Sequence, residues 1–381
     1  MLGYVPSNRS PEILPTFGRD LAIASTLAAA VLASCRPIPA ATSPTPEVSQ
    51  AAASEPAASL LPSPPGNAQG TPLPPRDSTP APEGTELPLA RNMEGWPPGE
   101  IVFVSFGQAQ GKGSGLFSMH SDGTDLEAVL HSEAAPPESP ACSPSGNRIA
   151  FASDLAQPGQ MDVFLVNLDG SGLAQLTTSK RYETMPAWSP DEKSIVIAVA
   201  GLPWSIETLS LDQGPPKQFA VGSTDLMWPS WSPDGEQLAF LAYAGTRDES
   251  IKSDLYRILI TDNGGKVQAT LDEPSSAGGR IAWSPDGRWI AFSGPGCKLY
   301  RTTPDGITVE KLTEGTGCHR NPSWSPDATY IVFDASDPQY PNWGRDILAV
   351  NVETRELYSV RDDPATIANS SPTWCPLPVG P

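Results

Sequence analysis

Histidine, basic charge and long apolar runs are all scarce in this chain. His120, His131 and His319 are the three histidines among 381 residues. They lack helical spacing or close partners and do not compose a metal centre. Lys and Arg number 24 against 43 Asp and Glu, a formal charge of −19. So acidic a surface repels phosphate backbones and anionic headgroups, which excludes nucleic acid as a partner. The apolar run at 21–32 is twelve residues long, too short to span a bilayer. No G-x-S-x-G elbow is present, and GKGSG at 111–115 lacks P-loop spacing and a following helix. The expectation is a chain without a catalytic set, a cofactor or a metal.

What the chain has is repetition. SWSPDGEQLAF at 230–240 returns as AWSPDGRWIAF at 282–292, and related phrases stand at 141–151, 187–197 and 323–333. A shortened copy, TWCP, occupies 373–376. Ser, Pro and Gly at the first, second and fourth turn positions suit a type I turn. Apolar runs flank the turn, so each copy reads as a hairpin. The turn prolines Pro144, Pro190, Pro233, Pro285, Pro326 and Pro376 are spaced 46, 43, 52, 41 and 50 residues apart, a period typical of propeller blades. A second hairpin follows each, as in 161–177, 253–271 and 298–313, giving four strands per unit, A to D. One such sheet cannot cover both of its faces, whereas sheets stacked radially cover each other.

The count also predicts the closure. GEIVFVSF at 99–106 matches a strand B with no strand A before it, and SPTWCP at 371–376 is a strand A with nothing after it. Placing the last strand in the first blade makes six blades and removes open sheet edges. The fold class expected is therefore all-β, a six-bladed propeller over 99–381, acting as a monomer. The pattern P-x-W-S-P-D-G-x-x-I-A-F resembles that of the TolB-like six-bladed β-propellers over about 99–376. The resemblance implies an envelope interaction scaffold rather than an enzyme. The propeller also resembles the gating domain of prolyl-oligopeptidase-type peptidases, and sugar lyases are built on related repeats. A hydrolase or lyase acting on peptide or sugar is thus the alternative. No counterpart of TolB's α/β domain or of a hydrolase domain is expected in this sequence.

Ahead of the propeller, residues 1–35 read as a lipoprotein signal, with Leu32-Ala33-Ser34-Cys35 as a lipobox and Cys35 as the acylated residue. An uncleaved signal anchor is the other reading. Residues 36–98 hold sixteen prolines with much Ala, Ser and Thr and no apolar period, the composition of a disordered tether. The location expected is extracytoplasmic, lipid-anchored to a bacterial membrane at the cell surface or in the periplasm, with the membrane touched only through the lipid.

Four further cysteines remain, an even number in an exported chain. Cys297 opens a strand C and Cys318 lies after strand D of the same blade, at the same end, so they form one expected pair. Cys142 and Cys375 take repeat positions on inner strands of neighbouring blades. A bridge there would lock the ring, and two buried thiols are the alternative. Asp122, Asp125, Asp169, Asp234, Asp286 and Asp305 sit near glycines, where turn chemistry explains them better than calcium, which needs six to eight converging oxygens.

The D–A loops carry the divergent residues. The pairs preceding each P-x-W position mix Glu138, Thr184, Met185, Met227, Trp228, Arg280, Arg320 and Asn321, with His319 adjoining. Shared repeat residues hold the blades, and divergent ones are free to specify a ligand. Trp, Met and Arg are enriched at interfaces, while unconstrained drift would produce the same diversity. The reading is a module that binds an envelope protein, peptide or glycan at the channel mouth.

Overall fold

The computed structural model describes Leu87 and residues 90–377, except 107–113, 133–134, 213, 220–224, 249–252, 277–278, 316, 337–344 and 362–367. The leader, Cys35 and most of the expected tether lie outside the described residues. The chain enters the ring through β1 (Glu100–Phe106), β2 (Gly115–His120) and β3 (Glu127–His131). The second blade is β4 (Glu138–Cys142), β5 (Arg148–Ser153), β6 (Asp162–Asn167) and β7 (Ala174–Gln175). The third is β8 (Glu183–Trp188), β9 (Ser194–Val199), β10 (Ser205–Ser210) and β11 (Lys217–Phe219). The fourth is β12 (Leu226–Trp231), β13 (Gln237–Asp248), β14 (Ser253–Asp262) and β15 (Val267–Ser276). The fifth is β16 (Ala282–Trp283), β17 (Ile290–Gly294), β18 (Lys298–Thr302) and β19 (Val309–Lys311). The sixth is β20 (Cys318–Trp324), β21 (Tyr330–Ser336), β22 (Arg345–Asn351) and β23 (Leu357–Arg361), and the final strand is β24 (Ala368–Cys375).

β24 pairs antiparallel with β1, Glu100 opposite Cys375 and Phe106 opposite Ala368, so the last strand is the inner strand of the first blade. The fold is an all-β propeller of six four-stranded blades. A single parallel bridge between Arg345 and Ala368 joins blades six and one into one hydrogen-bonded network.

The core follows from the repeat. Phe103, Phe151, Ile197, Phe240, Phe292 and Phe333 occupy one position of strand B in the six blades, and all are fully buried. Apolar clusters form six wedges, one at each blade interface. Ile101 and Phe117 of blade one meet Val332 and Ile347 of blade six, and Val104 and Leu116 meet Ile149 and Phe164 of blade two. The remaining four lie between blades two and three, three and four, four and five, and five and six. A buried Phe or Ile contributes roughly 1.5–3 kcal/mol. Because the wedges share every blade, no blade stands alone.

The repeated Trp joins blade to blade. Nε1 of Trp188 donates to the carbonyl of Ala141 one blade earlier (3.0 Å), and Trp324 does the same to Ala282 (3.0 Å). The Ser one residue before the Trp accepts the next blade's backbone: Trp283 N to Ser230 Oγ is 3.0 Å, and Trp374 N to Ser323 Oγ is 2.9 Å. In the turn itself the Ser232 hydroxyl donates to Asp234 Oδ1 (2.6 Å), which also accepts Glu236 N (3.0 Å). These bonds, the Ser232 hydroxyl foremost, hold the Asp234 carboxyl below its usual range. Asp286 and Asp305 accept a hydroxyl and a backbone N–H in the same pattern.

The packed structure begins at Ala90 rather than at 99. Trp96 lies 4.5 Å from Tyr330, 5.5 Å from Tyr358 and 6.0 Å from Trp374, ring centre to ring centre, and its Nε1 donates to the Ser121 carbonyl. Ala90 joins the same cluster and the Pro97 carbonyl accepts from the Ser121 hydroxyl, so a proline-rich stretch that otherwise reads as tether is held against the ring.

Candidate functional site

Inner strands run from the D–A loops toward the Ser-Pro turns, and all six line a central channel of about 290 Å³. Near the loop end, five of the six are bulged. Ser139, Met185, Trp228, Asn321 and Ser371 have φ of 52°, 55°, 54°, 54° and 54°. Each is followed by a proline, and there the inner strand carries one residue more than its partner. A bulge leaves residues out of the ladder, so proline's missing N–H loses nothing. Left-handed backbone costs a non-glycine residue about 1–2 kcal/mol, and the flanking blades supply it.

Blade five departs from this. Ile281 replaces the proline, and the left-handed residue is Gly279 (φ 91°), one position earlier relative to the Trp. Arg280 is thereby turned into the channel. Its Nη1 donates to the Pro372 carbonyl of blade one (3.1 Å) and its Nη2 to the Pro140 carbonyl of blade two (2.5 Å). Its backbone N donates to Asn321 Oδ1 (3.1 Å), and Asn321 Nδ2 donates to Asp334 Oδ2 (3.1 Å). Enclosure by protein pulls the Arg280 pKa down to about 10, with Asp334 acting against the fall. Arg280 therefore braces the ring from within the channel lining.

The other residues expected at the mouth divide. Thr184, Met185, Met227 and Asn321 are buried, the two methionines in the wedge between blades three and four. His319 is also buried. Its Nδ1 lies 2.7 Å from Thr313 Oγ1, its ring 5.1 Å from Phe333, and burial, then Lys298, pulls its pKa down to about 4. Cys297 and Cys318 are bonded, with Cα atoms 4.8 Å apart, and Arg320 Nε donates to Cys297 Sγ (3.3 Å). Cys142 is bonded to Cys375, Cα atoms 5.4 Å apart. Glu138, Trp228 and Arg320 are half-buried and face the loop end.

Beside Glu138 and Trp228 stand residues outside the repeat pattern. Tyr182 and Trp204 meet edge to face at 6.2 Å, and Trp204 N donates to Asp225 Oδ1 (2.8 Å). Burial, then Asp154, raises the Glu138 carboxyl, and burial with Glu138 and Asp154 raises the Tyr182 hydroxyl. These groups therefore share one neighbourhood. Among the described residues the Glu138 side chain has no hydrogen-bond partner. No group of His, Cys, Asp and Glu among the described residues is arranged to hold a metal.

No family model matches the chain. Over 161 residues, 39% of this chain and 51% of the relative, it is 32% identical to an uncharacterized protein of Agrobacterium fabrum. Over 113 residues, 28% of this chain and 17% of the relative, it is 34% identical to the uncharacterized peptidase YuxL of Bacillus subtilis. Over 170 residues, 42% of this chain and 37% of the relative, it is 26% identical to the Tol-Pal system protein TolB of Anaeromyxobacter sp.. The matched stretches thus span about half or less of each relative. The solved structure of TolB from Acinetobacter baumannii superposes with a TM-score of 0.59 at 23% identity, over 73% of this chain and 67% of that one, a likeness of fold. With six blades, the closing β24 and the repeated Trp-Ser-Pro turn, the chain has the six-bladed β-propeller fold seen in TolB and is similar to TolB in sequence over the matched stretch.

Proposed function

We propose that the chain is a non-catalytic, extracytoplasmic binding module, anchored through a lipid on Cys35, that captures an envelope protein, peptide or glycan on its D–A loop face. The observation that carries this is the grouping of Tyr182, Trp204 and Trp228 beside Glu138, whose side chain has no hydrogen-bond partner among the described residues, at the loop end of the channel. Half-buried aromatic rings, Trp228 on β12, Tyr182 just ahead of β8 and Trp204 just ahead of β10, supply contact area at little entropic cost. The likeness to TolB, named for the Tol-Pal system, supports an envelope setting. Residues 90–99 reach the ring on the Ser-Pro turn side.

The test is cross-linked capture from bacterial envelopes by the full chain. Trp228→Ala and Tyr182→Ala should lose the retained species, and Ile307→Asp, on a hairpin tip of the opposite face, should keep it. Retention by all three would remove the loop face from consideration. The peptidase-named relative favours a second reading, a propeller acting on peptides. Sustained peptide turnover abolished by Glu138→Gln would establish that reading instead.

A further inference from the structure

The channel below the bulges differs from the loop face above it. Its wall is small and apolar, with Ala187 and Ala282 at the level just before the Trp, and Trp188, Trp283 and Trp324 beneath. Ser230 and Ser323 interrupt that wall. Each hydroxyl accepts a backbone N–H from the next blade and keeps its own proton to donate. In a chain of charge −19 the lining contains neither Asp nor Glu, and its one charged side chain is Arg280.

That guanidinium has five N–H groups. Two are committed to the Pro140 and Pro372 carbonyls, and the other three have no protein acceptor among the described residues. Backbone carbonyls orient the group without neutralising it. Its electrostatic counterpart, Asp334, is turned to Asn321 and Ser371. A pre-oriented cation in an enclosed, weakly polar space attracts one negative charge strongly, because low dielectric strengthens the pairing. Arginine's fork matches a planar carboxylate at two points. The volume, about 290 Å³, is at the lower end of small-molecule pockets.

We propose that the channel is a binding well for an organic carboxylate, the acid group on Arg280 and its apolar body against the tryptophans. This goes beyond the loop-face reading, and the well shares Trp228 with that face at its rim. The carboxylate has two sources of the same chemistry, a small free acid or the carboxy terminus of an inserted peptide.

The experiment is a titration of the full chain followed by tryptophan fluorescence and calorimetry. The probes are hexanoate, hexanamide, inorganic phosphate, and a Leu-Ala-Leu peptide as the free acid and as the amide. Hexanoate or the peptide acid should saturate, and the uncharged amides should bind at least tenfold more weakly. A response to hexanoate assigns a small acid, and a response to the peptide acid alone assigns a chain terminus. Arg280→Met should abolish saturation. Should that variant fail to fold, Ala187→Leu fills the well with the guanidinium intact and should weaken binding at least tenfold. Equal response to acid and amide, a response to phosphate only, no saturation by any probe, or wild-type affinity in Ala187→Leu would each overturn the proposal. The loop-face variant Trp204→Ala should leave hexanoate binding unchanged, which separates this test from the capture experiment.

Discussion

Cys375, two residues from the last described position, is bonded to Cys142 on the inner strand of the next blade, 233 residues earlier in the chain. The ring is therefore closed twice, by the hydrogen bonds of β24 to β1 and by a covalent bond from β24 to β4. The second bridge, Cys297–Cys318, encloses only 21 residues. Loop entropy gives about 5 kcal/mol for the long bridge and about 3 kcal/mol for the short one. Urea melts of Cys142→Ala/Cys375→Ala and Cys297→Ala/Cys318→Ala should therefore rank the first pair as the more destabilised. The opposite order would show that seam closure rests on β24 pairing alone.

Arg280 braces three blades through two carbonyls and the Asn321 amide. Removing a buried charged donor leaves its acceptors unpaired, at a cost on the order of 3 kcal/mol. Arg280→Ala should lower the midpoint of thermal unfolding by several degrees, and Arg280→Lys by less. An unchanged midpoint in Arg280→Ala would contradict the brace.

The bulge positions respond to backbone preference. Ser139 holds φ 52° and its side chain makes no described hydrogen bond. Ser139→Gly should be neutral within about 0.5 kcal/mol, because relief of strain offsets lost chain entropy. Ser139→Val should cost about 1–2 kcal/mol, since a branched Cβ is most crowded there. Equal stabilities in denaturant would mean that the bulge relaxes.

His319 sets a pH dependence. Its pKa falls from 6.5 to about 4 on folding, so the folded state binds fewer protons there than the unfolded one. Its contribution is complete above pH 6.5 and is lost as pH falls toward 4. At pH 4 the loss amounts to about 3 kcal/mol. The raised carboxyls of Glu138 and Asp162 act in the opposite sense. Comparing His319→Gln with the parent chain at pH 7 and pH 4 isolates the histidine, and the variant should lose less stability over that range. A parallel pair of curves would refute the assignment.

The blade count and the closing strand are legible in the repeats because their causes are local. A turn needs Ser, Pro, Asp and Gly in order, and a blade needs its Trp and its buried Phe. The loop end is less legible. Whether Arg280 points outward or inward depends on Gly279 taking the left-handed conformation and Ile281 standing where five other blades have proline. Aligning the repeats by their Trp hides this one-residue displacement. Tyr182 and Trp204 lie off the repeat, so no periodic signal marks them. Trp96 sits among prolines, and only its three aromatic neighbours, from distant parts of the chain, give it a place.

Trp96 and β1 also have a mechanical consequence. A pull on the chain ahead of Ala90 is resisted first at buried Ala90, then where Trp96 is clasped by Tyr330, Tyr358 and Trp374, and then passes along the axis of β1. Both neighbours of β1, β2 and β24, run alongside it. Its ladder is therefore loaded in shear, all rungs together, instead of being peeled one rung at a time. The bond at Cys375 passes part of the strain to blade two, so the seam where the circle was joined is also where it is best reinforced against tension.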